Sequence, residues 1–114
     1  MLLLSGKNWS GSLHFNDSDM AKASGRVNGY SWYFQSKSNS WVVEIAEDPA
    51  IETHDLPLVG YGCGGWLYES DKCILPDNEA DFIQYINTNL SLVFAMLHQN
   101  KLKYLPAVTC ACSD

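Results

Sequence analysis

Three stretches of the chain, residues 9–15, 27–35 and 41–46, each place several hydrophobic side chains on one face by alternation, with Gly11 as the small member of the first. Such alternation is typical of a β-strand with one buried face. The polar segment 36–40 has the length of a hairpin loop, so we expect the second and third strands to pair. Aromatic residues dominate one face of each of these strands; these are Trp9, Phe15, Tyr30, Trp32, Phe34 and Trp41.

Two shorter strands are predicted at residues 58–61 and 66–69, on either side of the glycine-rich segment 62–65. Residues 16–25 carry turn-forming and polar side chains, which indicate a loop. The sequence therefore predicts a curved sheet of four or five antiparallel strands in meander order, between about residues 9 and 69.

The clearest predicted element is a helix over about residues 78–100. Asp77 or Asn78 can cap its N-terminus, and acidic residues follow in the first turn, where they suit the helix dipole. Its apolar side chains cover an arc of about 200°, which is wider than the stripe that a helix needs to pack on a sheet. This surplus predicts a homodimer. We expect its contact to involve either the helix flank (Tyr85, Leu92 and Met96) or Trp32 and its neighbours on an open sheet face.

The predicted fold class is α+β, with a single domain over residues 1–114: a sheet at about 9–69, a helix at about 78–100 packed on one sheet face, and a tail at 105–114. Successive side chains of a strand point to opposite faces, so Tyr33 lies on the face opposite Phe34. One helix covers one face. The other face then exposes aromatic side chains, unless the sheet curls enough to bury both sets.

Short motifs resemble those of a group of small bacterial proteins of unknown function. The segment Val27-Asn28-Gly29-Tyr30-Ser31-Trp32-Tyr33-Phe34 is followed by Trp41, and Gly64-Gly65-Trp66 precedes an acidic-capped helix. This chain departs from that group at Gln35-Ser36-Lys37, where arginines are usual. The resemblance implies no activity and no site residues.

The net charge is −6, and residues 44–81 carry ten acidic side chains against one lysine. An acidic surface repels nucleic-acid phosphates and anionic membranes, so neither is an expected partner, whereas a basic protein is. The opening Met1-Leu2-Leu3-Leu4 is too short for a signal sequence, and we expect a cytoplasmic protein with reduced cysteines.

No residues are predicted to be catalytic, to bind a cofactor or to bind a metal. Gly60–Gly65 matches a dinucleotide-binding loop by letter, but a strand-like segment follows it where a helix is required. Cys63 lies in an acidic region, which disfavours a reactive thiolate. The spacing of Cys63, Cys73, Cys110 and Cys112 fits a zinc site poorly.

The preferred interpretation is therefore a non-enzymatic binding protein, which uses an aromatic sheet face and an acidic edge over residues 44–55. Its candidate surface comprises Trp32, Tyr33, Tyr30, Glu44, Glu47, Asp48, His14, Tyr85, Leu92 and Met96. The alternative is a binder of a small apolar ligand, or an enzyme, with a pocket between helix and sheet. His14, Tyr30 and Glu44 would then be the polar groups facing that pocket.

Overall fold

The computed structural model describes residues 2–15, 21–37, 40–47, 64–70, 75–76 and 78–105. Its elements are the strands β1 (Leu2–Gly6), β2 (Trp9–His14), β3 (Lys22–Val27), β4 (Tyr30–Lys37), β5 (Ser40–Ala46) and β6 (Gly65–Ser70), the helix α1 (Glu79–His98) and the strand β7 (Lys103–Leu105). The strands form one antiparallel sheet in the order β1 to β7. The α+β class is confirmed. The expected four or five strands are too few, because the sheet has seven. The strand predicted at 58–61 lies outside the described residues.

The strands that the sequence did not predict are β1, β3 and β7, and β3 has the weakest apolar pattern of the three. β3 was predicted as loop, and its helix-facing positions are the small residues Ala23 and Gly25, followed by Val27. Gly25 lies directly opposite Trp32 of β4 and, on its other side, directly opposite Gly11 of β2. Small residues are required at these positions because the Trp32 ring needs the space above them. A Cβ atom on Gly11 would overlap the Trp32 ring and the Ser24 carbonyl. The weak pattern of β3 is therefore what allows the indole of Trp32 to lie over the sheet.

The core lies between α1 and one face of the sheet. The predicted helix is confirmed, and Asn78 caps it, since its side chain accepts a hydrogen bond of 2.8 Å from the Asp81 amide. The helix buries six apolar residues: Phe82, Ile86, Leu90, Val93, Phe94 and Leu97. The Phe94 ring centroid lies 5.2 Å from that of Trp9 and 5.5 Å from that of Trp32.

The aromatic strand residues share this helix-facing side. Trp32, Phe34, Val43 and Ile45 are completely buried, so the faces on which the alternation places them are the inner faces of β4 and β5. The strand register places Trp66, Tyr68 and Tyr104 on the same side, through the pairs Ile45–Trp66, Val43–Tyr68 and Trp66–Tyr104. The expectation that the second face exposes several aromatic side chains is wrong for the described strands. Tyr33 is the one aromatic residue that they place there.

No helix in the described part of the chain combines the length and the apolar character needed to cross a membrane.

Candidate interaction site

A row of directly opposed residues crosses the second face of the sheet, the face away from α1. From β1 to β7 its members are Leu3, Ser12, Ser24, Tyr33, Glu44, Leu67 and Lys103. Directly opposed side chains have Cβ atoms about 5 Å apart. The row therefore places Glu44 between an aromatic side chain and an apolar one, in the middle of the sheet.

Glu44 is one of two described residues, with Asn87, that hold a buried polar side-chain atom without a hydrogen-bond partner in the described part of the chain, and it is the one that can carry a charge. The Glu44 side chain is half-buried, and none of the described residues gives its buried Oε2 atom a hydrogen bond. Burial penalises the charged form and raises the pKa of Glu44 from 4.5 to about 7. A buried carboxylate oxygen that lacks a donor is costly, so this atom is poised to accept a hydrogen bond from a binding partner.

Tyr33 faces Glu44 from the neighbouring strand. Burial and, to a smaller extent, the charge of Glu44 raise the pKa of the Tyr33 hydroxyl. That hydroxyl donates to Gln35 Oε1 over 3.4 Å, a long and therefore weak hydrogen bond. Ala46 lies fully buried beside Tyr33 and Leu105. The aromatic ring is thus held in place while its hydroxyl is only weakly engaged.

Of the predicted acidic edge, only residues 44–47 belong to the described part of the chain. The Tyr104 hydroxyl donates to Glu47 Oε2 over 2.6 Å, and this hydrogen bond raises the pKa of Tyr104. Asp48 lies outside the described residues. Glu69 is exposed on β6 and lies two residues beyond Leu67, which makes it a diagonal neighbour of Glu44 on the same face. Glu44 and Glu69 therefore form the acidic part of this surface.

The other predicted surface residues lie apart from Glu44. Trp32 is completely buried beneath α1, so it cannot contribute to an open sheet face. Tyr30 is half-buried on the helix side, where its ring centroid lies 5.7 Å from that of Trp66. His14 is exposed on the second face, opposite Lys22. The structure consequently does not bring His14, Tyr30 and Glu44 together as the polar groups of one helix–sheet pocket.

On the helix flank, only Leu92 is strongly exposed. Tyr85 is half-buried, and its hydroxyl accepts a 3.0 Å hydrogen bond from Trp41 Nε1. Met96 is half-buried and packs against the core. Leu92 is 60% exposed. Two of the three predicted dimer residues on α1 therefore take part in the packing of the monomer.

A groove that the sequence does not predict lies at one end of the helix–sheet interface. It has a volume of about 490 Å³, and its walls are the β1–β2 turn and the last turns of α1. Trp9 Nε1 donates to Ser91 Oγ over 3.3 Å, and an Asn28 Nδ2–His98 Nε2 contact of 2.8 Å ties the β3–β4 turn to the helix. These contacts join segments far apart in the chain, and for that reason local sequence patterns do not reveal the groove.

Metal-binding groups are not assembled in the described ranges, where no three His, Cys, Asp or Glu side chains could hold an ion. The four cysteines lie outside those ranges. No protein-family model, curated protein or solved structure matches the chain significantly.

Proposed function

We propose that the protein is a non-enzymatic binding protein that receives a basic segment of a protein partner at Glu44, on the second face of the sheet. The observation that carries this proposal is the buried Oε2 atom of Glu44, which has no hydrogen-bond partner among the described residues. A lysine ammonium or an arginine guanidinium supplies both a hydrogen bond and the opposite charge. Charge-assisted hydrogen bonds of this kind are about twice as strong as neutral ones.

The neighbours of Glu44 suit the rest of a basic side chain. Tyr33 presents an aromatic ring, and Leu67 presents an apolar surface on the other side of the carboxylate. The methylene stem of a lysine or arginine packs well on such groups, and its cation is attracted to an aromatic face. Glu69 adds a second negative charge at the diagonal position. Together these groups favour a segment with more than one basic residue.

The small-molecule alternative has weaker support. The side chains at the centre of the helix–sheet interface, Trp32, Phe34, Phe82, Ile86 and Leu90, are all completely buried. The groove of about 490 Å³ lies at the end of that interface, and none of the three polar residues expected in a pocket lines it. The geometry therefore favours recognition on the sheet face over a ligand enclosed beneath the helix.

A hexalysine peptide provides a direct test by calorimetry at low ionic strength. The comparison is between Glu44→Gln and Glu79→Gln, which remove the same charge from different places: Glu79 is exposed in the first turn of α1. Because one desolvated ion pair carries the proposed contact, we expect Glu44→Gln to weaken binding at least tenfold and Glu79→Gln less than twofold. Equal losses in both variants would mean that the peptide responds only to net charge, and the proposal would be wrong.

A further inference from the structure

The two edges of the sheet are built differently. β7, the last strand in the described part of the chain, has three residues and carries Lys103 and the exposed Tyr104. A short edge strand with a lysine is protected against pairing with another chain. β1 has five residues, Leu2-Leu3-Leu4-Ser5-Gly6, and contains no charge and no proline. The β1 edge thus lacks the features that usually prevent strand addition.

β1 is also held firmly in the fold. Leu4 is 1% exposed and belongs to the core, and Leu2 packs against that core. All five residues pair in register with β2. In contrast, Leu3 points to the second face and is 83% exposed. An ordered strand therefore presents a backbone side that none of the described strands pairs with, together with a large exposed leucine.

A hollow lies on the second face next to this edge. It has a volume of about 530 Å³, and the short side chains of Ser5, Ser10, Ser12 and Ser24 border it together with Leu3. Because serine side chains are short, the hollow has room for an additional apolar side chain. Such a side chain would contact Leu3.

We propose that β1 pairs antiparallel with β1 of a second copy of this chain, so that one continuous sheet runs through a homodimer. Pairing centred on Leu4 uses all five residues and brings Leu3 of each copy opposite Ser5 of the other. Leu3 of one copy then enters the hollow of the other and approaches that copy's Leu3 diagonally. The contact is the same in both directions, as a two-fold dimer requires.

The absence of charge on β1 also favours a second copy of the chain as the partner of this edge. Each chain carries a net charge of −6, so two copies repel at most surfaces. The strand β1 is uncharged, and the serines that border the hollow are neutral. The inference is independent of the proposed site at Glu44. High salt should leave the dimer intact, because backbone pairing and an apolar contact hold it, whereas salt weakens peptide binding at Glu44.

The test is the mass by light scattering at tens of micromolar for the wild type, Leu3→Lys and Leu92→Lys. Both variants replace an exposed leucine by lysine, the first on β1 and the second on the helix flank. We expect twice the chain mass of 12.7 kDa for the wild type and Leu92→Lys, and the mass of a single chain for Leu3→Lys. A monomeric wild type, a monomeric Leu92→Lys or a dimeric Leu3→Lys would overturn the proposal.

Ser10→Tyr covers the case in which Leu3→Lys does not fold. Ser10 is exposed on the second face, and a tyrosine there fills the hollow without altering β1. The proposal requires a monomeric mass for this variant together with an unchanged circular dichroism spectrum. A folded and dimeric Ser10→Tyr would contradict it.

Discussion

Tyr33 and Glu44 lie directly opposite each other on β4 and β5, and the charge of Glu44 makes the Tyr33 hydroxyl harder to ionise. Burial raises the pKa of both side chains, and the charge of Glu44 raises that of Tyr33 further. In a strand pair a polar residue at such a position is normally solvated or matched by an opposite charge. Here neither condition holds for Glu44 Oε2. An external cation would satisfy this carboxylate.

The first prediction concerns the pH dependence of stability. The folded pKa of Glu44 is about 7, against 4.5 for an unburied glutamate, so the folded state holds a proton that the unfolded state releases. The contribution of Glu44 is fully present below pH 4.5 and is lost as the pH rises through 7. Because the side chain is half-exposed, solvent screening reduces this loss to about 1 kcal/mol.

The variant Glu44→Gln isolates this contribution, because other groups titrate equally in both proteins. Urea unfolding at pH 4.5 and pH 8 should show similar free energies for the two proteins at the lower pH. At pH 8 we expect the variant to be more stable than the wild type by about 1 kcal/mol. A constant difference between the two proteins across this pH range would show that Glu44 titrates normally.

The second prediction compares two glycines. A Cβ atom on Gly25 would overlap the Ser10 carbonyl and the Gly11 Cα atom, and backbone atoms cannot move aside cheaply. We expect Gly25→Ala to lower the free energy of unfolding by about 3 kcal/mol. Gly29 has a φ of +87° and no neighbouring atom within 4 Å of the added carbon, so Gly29→Ala should cost only about 1 kcal/mol of backbone strain. Urea unfolding of both variants checks this order, and equal losses would mean that β2 and β3 lie further apart.

The third prediction tests the hydrogen bond from Trp41 Nε1 to the Tyr85 hydroxyl. Tyr85→Phe leaves the buried indole of Trp41 without this acceptor, and we expect a loss of about 1 kcal/mol in thermal or urea unfolding. Tyr104→Phe is the matched control, because its hydroxyl bonds to Glu47 at an exposed position. A loss in Tyr104→Phe as large as that in Tyr85→Phe would show that burial of the bond does not matter.

The fourth prediction concerns the start of α1. Asn78 Oδ1 accepts from the Asp81 amide, and Asn78 Nδ2 donates to the Asp81 carboxylate over 2.7 Å. Asn78→Ala removes the cap and should cost about 1 kcal/mol. Asn78→Ser retains an acceptor for the amide and should recover most of that loss. Circular dichroism during thermal unfolding distinguishes the two variants, and equal stability of Asn78→Ala and the wild type would exclude a role for the cap.

Local patterns predicted the parts of the fold whose packing follows from regular spacing. The β4–β5 hairpin and α1 are predicted by alternation and by helical periodicity, and the structure confirms both. β3 was missed because its helix-facing residues Ala23 and Gly25 are too small to give a strand pattern. They are small because the indole of Trp32 on the next strand needs the space, which local sequence does not reveal. β7 has only three residues, too few to establish a pattern.

The candidate site was predicted less completely than the fold. Glu44 and Tyr33 were predicted as surface residues, but their direct opposition depends on the register of the hairpin, in which Lys37 pairs with Ser40. A shift of one residue would move Glu44 to the core face. Trp32 was wrongly placed on an open face, because the alternation along a strand does not tell which of its two faces α1 covers. The role of Leu67 follows only from the pairing of β5 with β6.

The titration of the Glu44 carboxyl group shows whether a cation binds at this position. Carbon NMR of that group, in the free protein and with saturating hexalysine, measures its pKa in both states. We expect a pKa of about 7 in the free protein and a pKa lower by at least one with the peptide, because a bound cation stabilises the charged form. A free pKa near 4.5, or a raised pKa that the peptide leaves unchanged, would contradict the proposed site.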